Sequence, residues 1–425
     1  MALGKKNMGT KQLFFKLRDK TRFMWARSKF GYIPNGDVAA FDFNELEHVV
    51  ILKLDGKLGD TQVMTHFYSQ LRSLTNAAGR KLFLSAVCPK NLMHIYKDIL
   101  GFDCVIESSR KPKEKEIELI CEQIIQAAVD AGYSDKIDLV LSTEPNYRPR
   151  DFIFNHCLKP KYVAGCDKRL SDNLVSRAAK DDTLSGKIDD QVARKATEIS
   201  FLLYDVDTYD KRVSQAFCEF MQLGKLEPSL VSYKPLFTEE ELEHAQNYLA
   251  CDKDTILVGV NPSGAAKIRS FTPELTAAII SKIISSSDKT RALLLCHRGM
   301  SDYIDKVIAS LGELKDLVGT RIVLMPKEST PCDLAALISC CDAQIGVDTA
   351  TVHIACATSV RQLCFYHNVT TNSLQWAPLG EGDTAEVLRF SDANFNTIEP
   401  NLILNPTAEF MNKLLATKKW LVFSH

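Results

Sequence analysis

The sequence lacks the cysteine spacing, the long apolar runs and the charge imbalance that mark several common protein classes. Its 13 cysteines include no C-x-x-C pair and lie mostly in apolar segments. We therefore expect buried free thiols in a reducing cytoplasm, not a disulfide framework or a zinc site. No apolar run is long enough to cross a bilayer, and the N-terminus offers no secretory signal. The formal net charge of −1 gives no general reason to expect nucleic-acid binding.

Common nucleotide and metal motifs are also missing. Neither half of the chain carries G-x-G-x-x-G after its first strand, and no G-x-x-x-x-G-K-[ST] occurs, so dinucleotide and P-loop sites are unsupported. Asp205-Val-Asp207 has the letters of a divalent-ion motif, but it lies in a polar excursion where surface turn chemistry explains it. The sequence therefore predicts no bound metal and no cofactor.

The N-terminal segment, residues 1–35, has a composition of its own. Its first 31 positions hold nine Lys or Arg residues and one acid, Asp19, interleaved with aromatic and aliphatic side chains. A helix with a basic and an apolar face could lie on an anionic membrane surface. The alternative is a solvated arm packed on the first domain.

The rest of the chain alternates apolar strands with helical patterns, which is typical of parallel sheets flanked by helices. We predict an N-terminal domain over 36–235, a C-terminal domain over 236–400, and a C-terminal helix over 401–425 that packs back on the N-terminal domain. The predicted strands of the two domains are 49–54, 81–87, 102–106, 139–142 and 162–165, then 256–260, 292–296, 322–325, 343–347 and 361–365.

Two strands run into polar turns that carry the chemistry. One is V-V-I-L-K-L-D-G-K-L-G-D, ending at Asp60, and the other is A-Q-I-G-V-D-T-A-T-V-H, ending at His353. In open α/β sheets, ligands bind at the carboxyl ends of strands, and the helix N-terminus that follows attracts anions. Two such turns indicate a two-domain enzyme.

Three motifs together resemble the heptosyltransferases of lipopolysaccharide core synthesis, in glycosyltransferase family 9. The first is the strand and turn that end in Leu58-Gly59-Asp60, and the second is N-P-S-G-A-A-K-I-R-S-F-T-P from Asn261. The third is a helix and a strand followed by D-T-A-T-V-H from Asp348. The resemblance covers residues 48 to about 380 and implies the GT-B fold, two Rossmann-like parallel-sheet domains facing across a cleft.

Asp60 is the candidate catalytic base. A base must accept the proton of the incoming hydroxyl, and Gly56 and Gly59 let a substrate approach the backbone before Asp60. The alternative is that Asp60 only caps a helix starting at Thr61. The resemblance favours the base, because the matching Asp of the family is the proposed base of an inverting transfer.

The second domain is expected to bind the donor, because positive groups and helix N–H donors stabilise a leaving diphosphate. Lys267 and Arg269 are both candidates for the diphosphate contact, and either one could instead be a solvated side chain. Asp348 could cap its helix or accept a sugar hydroxyl, and His353 could reach the phosphates or fill the interior. The predicted donor-binding residues are Asn261, Ser263, Lys267, Arg269, Asp348, Thr349, Ala350, Thr351 and His353.

Two positions depart from the family pattern. Ala350 stands where Gly is usual, which predicts a less close approach of a phosphate to the backbone. His297-Arg-Gly-Met stands where the family often has a Gly-rich turn and an acid, so the donor base is open, although the family implies adenine.

The acceptor side is predicted at Gly59, Arg148, Arg150 and Lys168, where a solvated basic surface is the alternative to an anion site. The resemblance implies transfer of a heptose from ADP-heptose to the inner core of lipopolysaccharide or lipooligosaccharide. It places a cytoplasmic enzyme at the anionic inner face of a Gram-negative inner membrane, with a lipid-linked acceptor and no nucleic acid. The alternatives are a GT-B transferase of another nucleotide sugar, a non-catalytic nucleotide-binding assembly protein and a membrane-surface binding module.

Overall fold

The structure is a computed structural model that describes residues 10–144, 147–166, 199–203, 209–367, 371–391 and 394–422. The described residues form two six-stranded sheets in which all pairings are parallel. The chain divides into two compact units. The first unit comprises Met1–Gly56, Gln70–Tyr209 and Ala216–Pro228, and the second comprises Lys57–Ser69, Asp210–Gln215 and Ser229–His425.

The first sheet has the strand order β3-β2-β1-β4-β5-β6. Its strands are β1 (His48–Leu52), β2 (Phe83–Cys88), β3 (Cys104–Glu107), β4 (Leu139–Ser142), β5 (Tyr162–Gly165) and β6 (Phe201–Leu202). The α-helices described before residue 229 are α1 (Thr10–Phe30), α2 (Leu58–Ser73), α3 (Lys90–His94), α4 (Glu114–Asp130), α5 (Pro149–Leu158) and α6 (Val213–Leu223). Every residue of β1, β2 and β4 is buried, as expected for parallel strands covered on both faces.

The second sheet has the order β12-β11-β10-β7-β8-β9. Its strands are β7 (Ile256–Asn261), β8 (Thr290–Leu294), β9 (Ile322–Leu324), β10 (Ala343–Val347), β11 (Arg361–Tyr366) and β12 (Ala385–Arg389). The helices of this part are α7 (Glu239–Leu249), α8 (Pro273–Ser286), α9 (Ser301–Ser310), α10 (Pro331–Ser339), α11 (Ala350–Ala357), α12 (Thr371–Gln375) and α13 (Asn401–Val422). Thr330 caps α10, since its hydroxyl accepts the N–H of Asp333 at 3.1 Å.

The ten predicted strands are all present, and the α/β fold class is confirmed. The sequence analysis did not predict β6, which lies at one edge of the first sheet, or β12, which lies at one edge of the second. The polar excursion at 170–200 lies almost wholly outside the described residues, as do Asp205 and Asp207. All 13 cysteines are free thiols, and only Cys251 is exposed.

The two terminal helices pack in different cores. Helix α1 places Phe23, Ala26 and Phe30 in the first core and lies against α5. Helix α13 packs on α8 and supplies Ile403, Phe410, Met411 and Leu414 to the second core. The buried apolar side chains described in α13 belong to the second core, and the packing of residues 401–425 on the first domain stays a prediction. No helix in the described part of the chain combines the length and apolarity needed to span a membrane.

Candidate functional site

The carboxyl ends of β7 and β10 bring four polar side chains of the second unit together. These strands are neighbours, with Asn261 opposite Gly346. A side chain on Gly346 could not fit, because its Cβ would lie 2.8 Å from the carbonyl oxygen of Asn261. The Asn261 amide donates to Thr349 Oγ1 at 2.6 Å and to Thr351 Oγ1 at 3.0 Å. Gln344 Nε2 donates to Thr351 Oγ1 at 2.9 Å, so the network is anchored inside β10.

This network fixes the start of α11. The Thr349 backbone is extended at the N-cap position, but its side chain makes no capping hydrogen bond within the described residues. Its hydroxyl oxygen instead accepts a hydrogen bond from the Asn261 amide and lies 3.0 Å from Thr351 Oγ1. The backbone N–H of Val352 donates to the carbonyl oxygen of Thr349 at 3.1 Å, whereas the Thr349 side chain caps none of the N–H groups at the start of α11. A helix N-terminus without a side-chain cap can offer its remaining N–H groups to an anion.

Helix α2 begins at Leu58, so Asp60 lies in its first turn. The alternative of a helix that starts at Thr61 with Asp60 as its cap is wrong. The residue is largely buried, and its Oδ2 lies 3.6 Å from the Nζ of the exposed Lys57. The helix dipole favours a carboxylate in the first helical turn.

Gly59 brings the first turn of α2 against the first turn of α11, which begins at Ala350. Gly59 and Ala350 both belong to the second unit. A Cβ on Gly59 would lie 3.0 Å from the Cα of Ala350 and 3.3 Å from its Cβ. The predicted base and the predicted anion site therefore lie in adjacent helical turns. The methyl group of Ala350 lies beside the backbone of Gly59, a contact that the sequence did not predict.

Arg269 acts electrostatically on Asp348, the residue that follows β10, whereas Lys267 lies at the surface. The two belong to a short 3-10 turn, in which Lys267 is exposed and Arg269 is half-buried. Gly264 allows this turn to fold back, since a Cβ there would lie 2.4 Å from the carbonyl oxygen of Arg269. The backbone N–H of Ser263 donates to Asn261 Oδ1 at 3.4 Å, which ties the same loop to the network.

Two guanidinium groups, those of Arg269 and Arg389, act electrostatically on the carboxyl group of Asp348. Burial raises its pKa to about 6, and the positive charges of Arg269 and then Arg389 act in the opposite direction. Arg389 is held by two hydrogen bonds to Glu381, one of them 3.0 Å from Nη2 to Oε2, and lies 5.5 Å from the centre of the Tyr366 ring. Asp348 is thus a carboxylate whose ionisation depends on its cationic neighbours.

His353 is buried one turn into α11. Its ring packs edge-on against Tyr233 at 6.3 Å and Trp376 at 6.0 Å between ring centroids. Burial lowers its pKa to about 4, so the ring is neutral near pH 7. Its Nδ1 atom has no hydrogen-bond partner among the described residues. These surroundings fit a neutral interior histidine better than a cation that contacts phosphate.

The first unit has an ionic cluster at the carboxyl ends of β1 and β4. Lys53 is fully buried, with its Nζ 2.7 Å from Asp55 Oδ1. Glu144 is also buried and accepts the backbone N–H of Leu54 at 3.1 Å and a guanidinium N–H of Arg150. Arg150, predicted on the acceptor side, is therefore engaged within the protein.

The other acceptor-side predictions have different outcomes. Arg148 is exposed, and Lys168 lies outside the described residues. Arg110, which the sequence did not single out, has its Nη2 atom 3.2 Å from the place of a Cβ on Gly56. Gly56 has a φ of +69°, a left-handed conformation that glycine adopts without strain.

The two Rossmann-like parallel sheets, each with polar turns at its strand ends, define the GT-B class of α/β proteins. Neither the protein-family models nor the curated protein sequences match this chain. Solved structures do match it. The first is a glycosyl transferase of family 9 from Veillonella parvula, with 16% identity, a TM-score of 0.63, and 88% of this chain and 98% of that chain covered.

Two heptosyltransferase structures are also similar. Escherichia coli ADP-heptose lipopolysaccharide heptosyltransferase II has 14% identity and a TM-score of 0.56, with 88% of this chain and 100% of that chain covered. E. coli heptosyltransferase WaaC with ADP has 12% identity and a TM-score of 0.56, with 86% of this chain and 99% of that chain covered. The predicted resemblance to family 9 is confirmed for the fold.

Proposed function

We propose that the protein is an inverting glycosyltransferase that moves a heptose from ADP-heptose to the inner core of lipopolysaccharide or lipooligosaccharide. The observation that carries this proposal is the approach of Gly59 to Ala350, which puts the turn of Asp60 beside the start of α11. A base and an anion site in adjacent helical turns are what transfer from a nucleotide diphosphate to a hydroxyl needs.

In the proposed reaction, the Asp60 carboxylate takes the proton of the acceptor hydroxyl. The hydroxyl oxygen bonds to the anomeric carbon while the bond from that carbon to the diphosphate oxygen breaks. The electron pair of the broken bond leaves with ADP. Attack from the face opposite the leaving group inverts the configuration at the anomeric carbon.

Two groups would stabilise the departing diphosphate. The N–H groups at the start of α11 form the positive end of the helix dipole, and Arg269 adds a full positive charge that acts on Asp348. Lys267 is the weaker candidate, because its side chain is exposed and screened by water. Asp348 is suited to accept a hydroxyl of the sugar once it is ionised.

The proposed acceptor is a lipid-linked core oligosaccharide, and the proposed location is the cytoplasmic face of an inner membrane. The three motifs that resemble the heptosyltransferases, together with the two E. coli structures of the same fold, support this acceptor. The solvent-exposed Arg148 and the Arg110 side chain beside Gly56 offer positive charge for an anionic saccharide.

The test is a calorimetric titration with ADP, UDP, GDP and CMP, with and without Mg²⁺, followed by transfer assays with the matching sugar nucleotides. Selective ADP binding and release of ADP from ADP-heptose in the presence of core acceptor would support the proposal. Preference for another nucleotide would point to a different donor. Nucleotide binding without transfer to any acceptor would favour a non-catalytic assembly protein.

A further inference from the structure

Helix α1 has one face in the first core and an opposite face with large apolar side chains in solvent. Phe23, Ala26 and Phe30 are buried against the first unit. Met24 and Trp25 are 52% and 53% exposed. Single exposed apolar residues are common, but two adjacent large ones on a helix that already buries its other face form an apolar ridge that is about half in solvent. The Trp25 ring also packs edge-on against Phe30, with 5.7 Å between the ring centroids.

Basic side chains flank this ridge on both sides. Successive helix residues are about 100° apart around the axis, so Thr21, Met24, Trp25 and Ser28 lie opposite the buried face. Arg18, Arg22 and Lys29 follow one side of them, and Lys20 and Arg27 follow the other. Lys29 already forms an ion pair, with its Nζ 3.0 Å from Glu114 Oε1. Lys20 and Arg22 are exposed.

The positive charge is concentrated in this segment. The first 31 residues carry nine basic side chains and one acid, a formal charge of +8. Because the whole chain carries −1, the remaining residues together carry −9. An anionic surface would therefore attract the α1 segment and repel the rest of the chain on average.

We propose that the exposed face of α1 docks on an anionic lipid bilayer, with Met24 and Trp25 entering the headgroup region and the flanking basic residues contacting lipid phosphates. The inference deepens the proposed function, because it names the surface that would hold the enzyme beside a lipid-linked acceptor.

Three features favour a bilayer over a nucleic acid or a protein. Trp is suited to the headgroup region, since its ring is apolar and its N–H can bond to water or lipid. Lys and Arg at the sides of an apolar ridge can keep their charges at phosphate level while their stems contact lipid. Ile33, 61% exposed just after the helix, adds a further apolar side chain to the same end of the segment. A nucleic acid would bind a continuous basic face, which Met24 and Trp25 interrupt.

The experiment is cosedimentation of the full chain with phosphatidylethanolamine vesicles that contain or lack phosphatidylglycerol, at low and high salt. We expect binding only with phosphatidylglycerol and weaker binding at high salt. The Lys20→Gln and Arg22→Gln changes should each weaken binding about fivefold. The matched control, Lys282→Gln with Lys315→Gln, removes two exposed charges from the second unit and should leave binding unchanged.

The apolar ridge is tested separately. Brominated lipids should quench the tryptophan fluorescence of the wild type, and Trp25→Phe should abolish most of that quenching. Met24→Ser should weaken vesicle binding, whereas Leu402→Ser, at an exposed leucine of the second unit, should not. Melting curves would verify that each variant is folded.

Several results would overturn the inference. They are equal binding to vesicles without phosphatidylglycerol, equal weakening by the control pair, or binding to RNA or heparin without binding to vesicles. Vesicle binding is measured without substrate, so its outcome is separate from that of the transferase. Sugar transfer to a water-soluble acceptor without vesicle binding would refute membrane docking but not the transferase. Vesicle binding without nucleotide binding would refute the transferase but not membrane docking.

Discussion

The backbone of Gly59 lies against Ala350 so closely that a Cβ on Gly59 would be 3.0 Å from the Cα of Ala350. This separation is tighter than about nine in ten real Cβ contacts, so a side chain at position 59 would require Ala350 to shift by a few tenths of an ångström. This contact sets the distance between the first turn of α2, which carries Asp60, and the first turn of α11, which begins two residues after Asp348. Any change at this contact should therefore alter the spacing between the proposed base and the proposed phosphate site.

Gly59→Ala should lower kcat/KM by about tenfold or more, because a displacement of a fraction of an ångström is costly for a reacting pair. The fold should survive, since alanine favours a helix. Ala350→Gly in the same chain should recover much of the activity by removing the opposing methyl group. A double-mutant cycle on kcat/KM measures the coupling. Additive losses would mean that the two residues do not share a contact that matters for catalysis.

Asp60→Asn should lower kcat by about 10² to 10⁴-fold while nucleotide affinity changes little, because an amide cannot take the acceptor proton. Single-turnover assays and nucleotide titration measure the two quantities. Asp333→Asn is a suitable control, since Asp333 is also a first-turn carboxylate but takes part in the capping box with Thr330. Normal turnover in Asp60→Asn would exclude Asp60 as the base.

Arg269→Met should weaken ADP binding by about 1.5–3 kcal/mol, the usual worth of hydrogen bonds to a charged group. Lys267→Met should cost less than about 1 kcal/mol, because an exposed charge is screened. Calorimetric titration with ADP compares them directly. The reverse ranking would assign the diphosphate contact to Lys267.

Thr351→Val should destabilise the protein by about 1–3 kcal/mol, since it leaves the Asn261 and Gln344 amides without the hydroxyl that accepts from both. Thr351→Ser keeps the hydroxyl and should recover most of that loss. Urea unfolding of the three proteins measures the effect. Equal stability of the serine and valine variants would show that the hydroxyl is dispensable.

The folded protein should lose stability on acidification because of His353. Its folded pKa is about 4, below its usual 6.5, so the unfolded chain binds the proton first as pH falls. The contribution of the neutral His353 ring to the free energy of unfolding is fully present above pH 6.5. It is lost as the pH falls toward 4, by up to about 1.4 kcal/mol per pH unit. His353→Phe should flatten this part of the profile of unfolding free energy against pH. An unchanged profile would mean that the ring titrates normally.

Much of the fold was readable from the sequence because parallel strands buried on both faces are continuous apolar runs. Such runs predicted β1 and β10, and glycines with polar residues marked the turns after them. Strand β12 escaped prediction, since its residues after Ala385 are only partly buried and lack a clear apolar period. Strand β6 has two residues, too few for any periodicity.

The candidate site was only partly readable for a different reason. Motifs predicted which turns matter, but not which side chains face one another. Gln344 was overlooked although a polar residue inside a buried strand was an available signal. Arg389 gave no such signal, because its relation to Asp348 exists only once β12 joins the sheet edge. The burial of His353 likewise follows from Tyr233 and Trp376, more than a hundred residues before it and 23 after it in the chain.

The division of the chain bears on how such a protein could be recombined. Residues Lys57–Ser69, with Asp60 near their start, are grouped with the second unit although they precede most of the first in sequence. Val63, Met64 and Phe67 are buried in that segment. A chimera joined at residue 228 would exchange the half that carries the proposed donor-binding residues but keep the α2 of the original chain. Exchange of donor preference between homologues should therefore succeed only when the first turns of α2 are transplanted together with everything after residue 228.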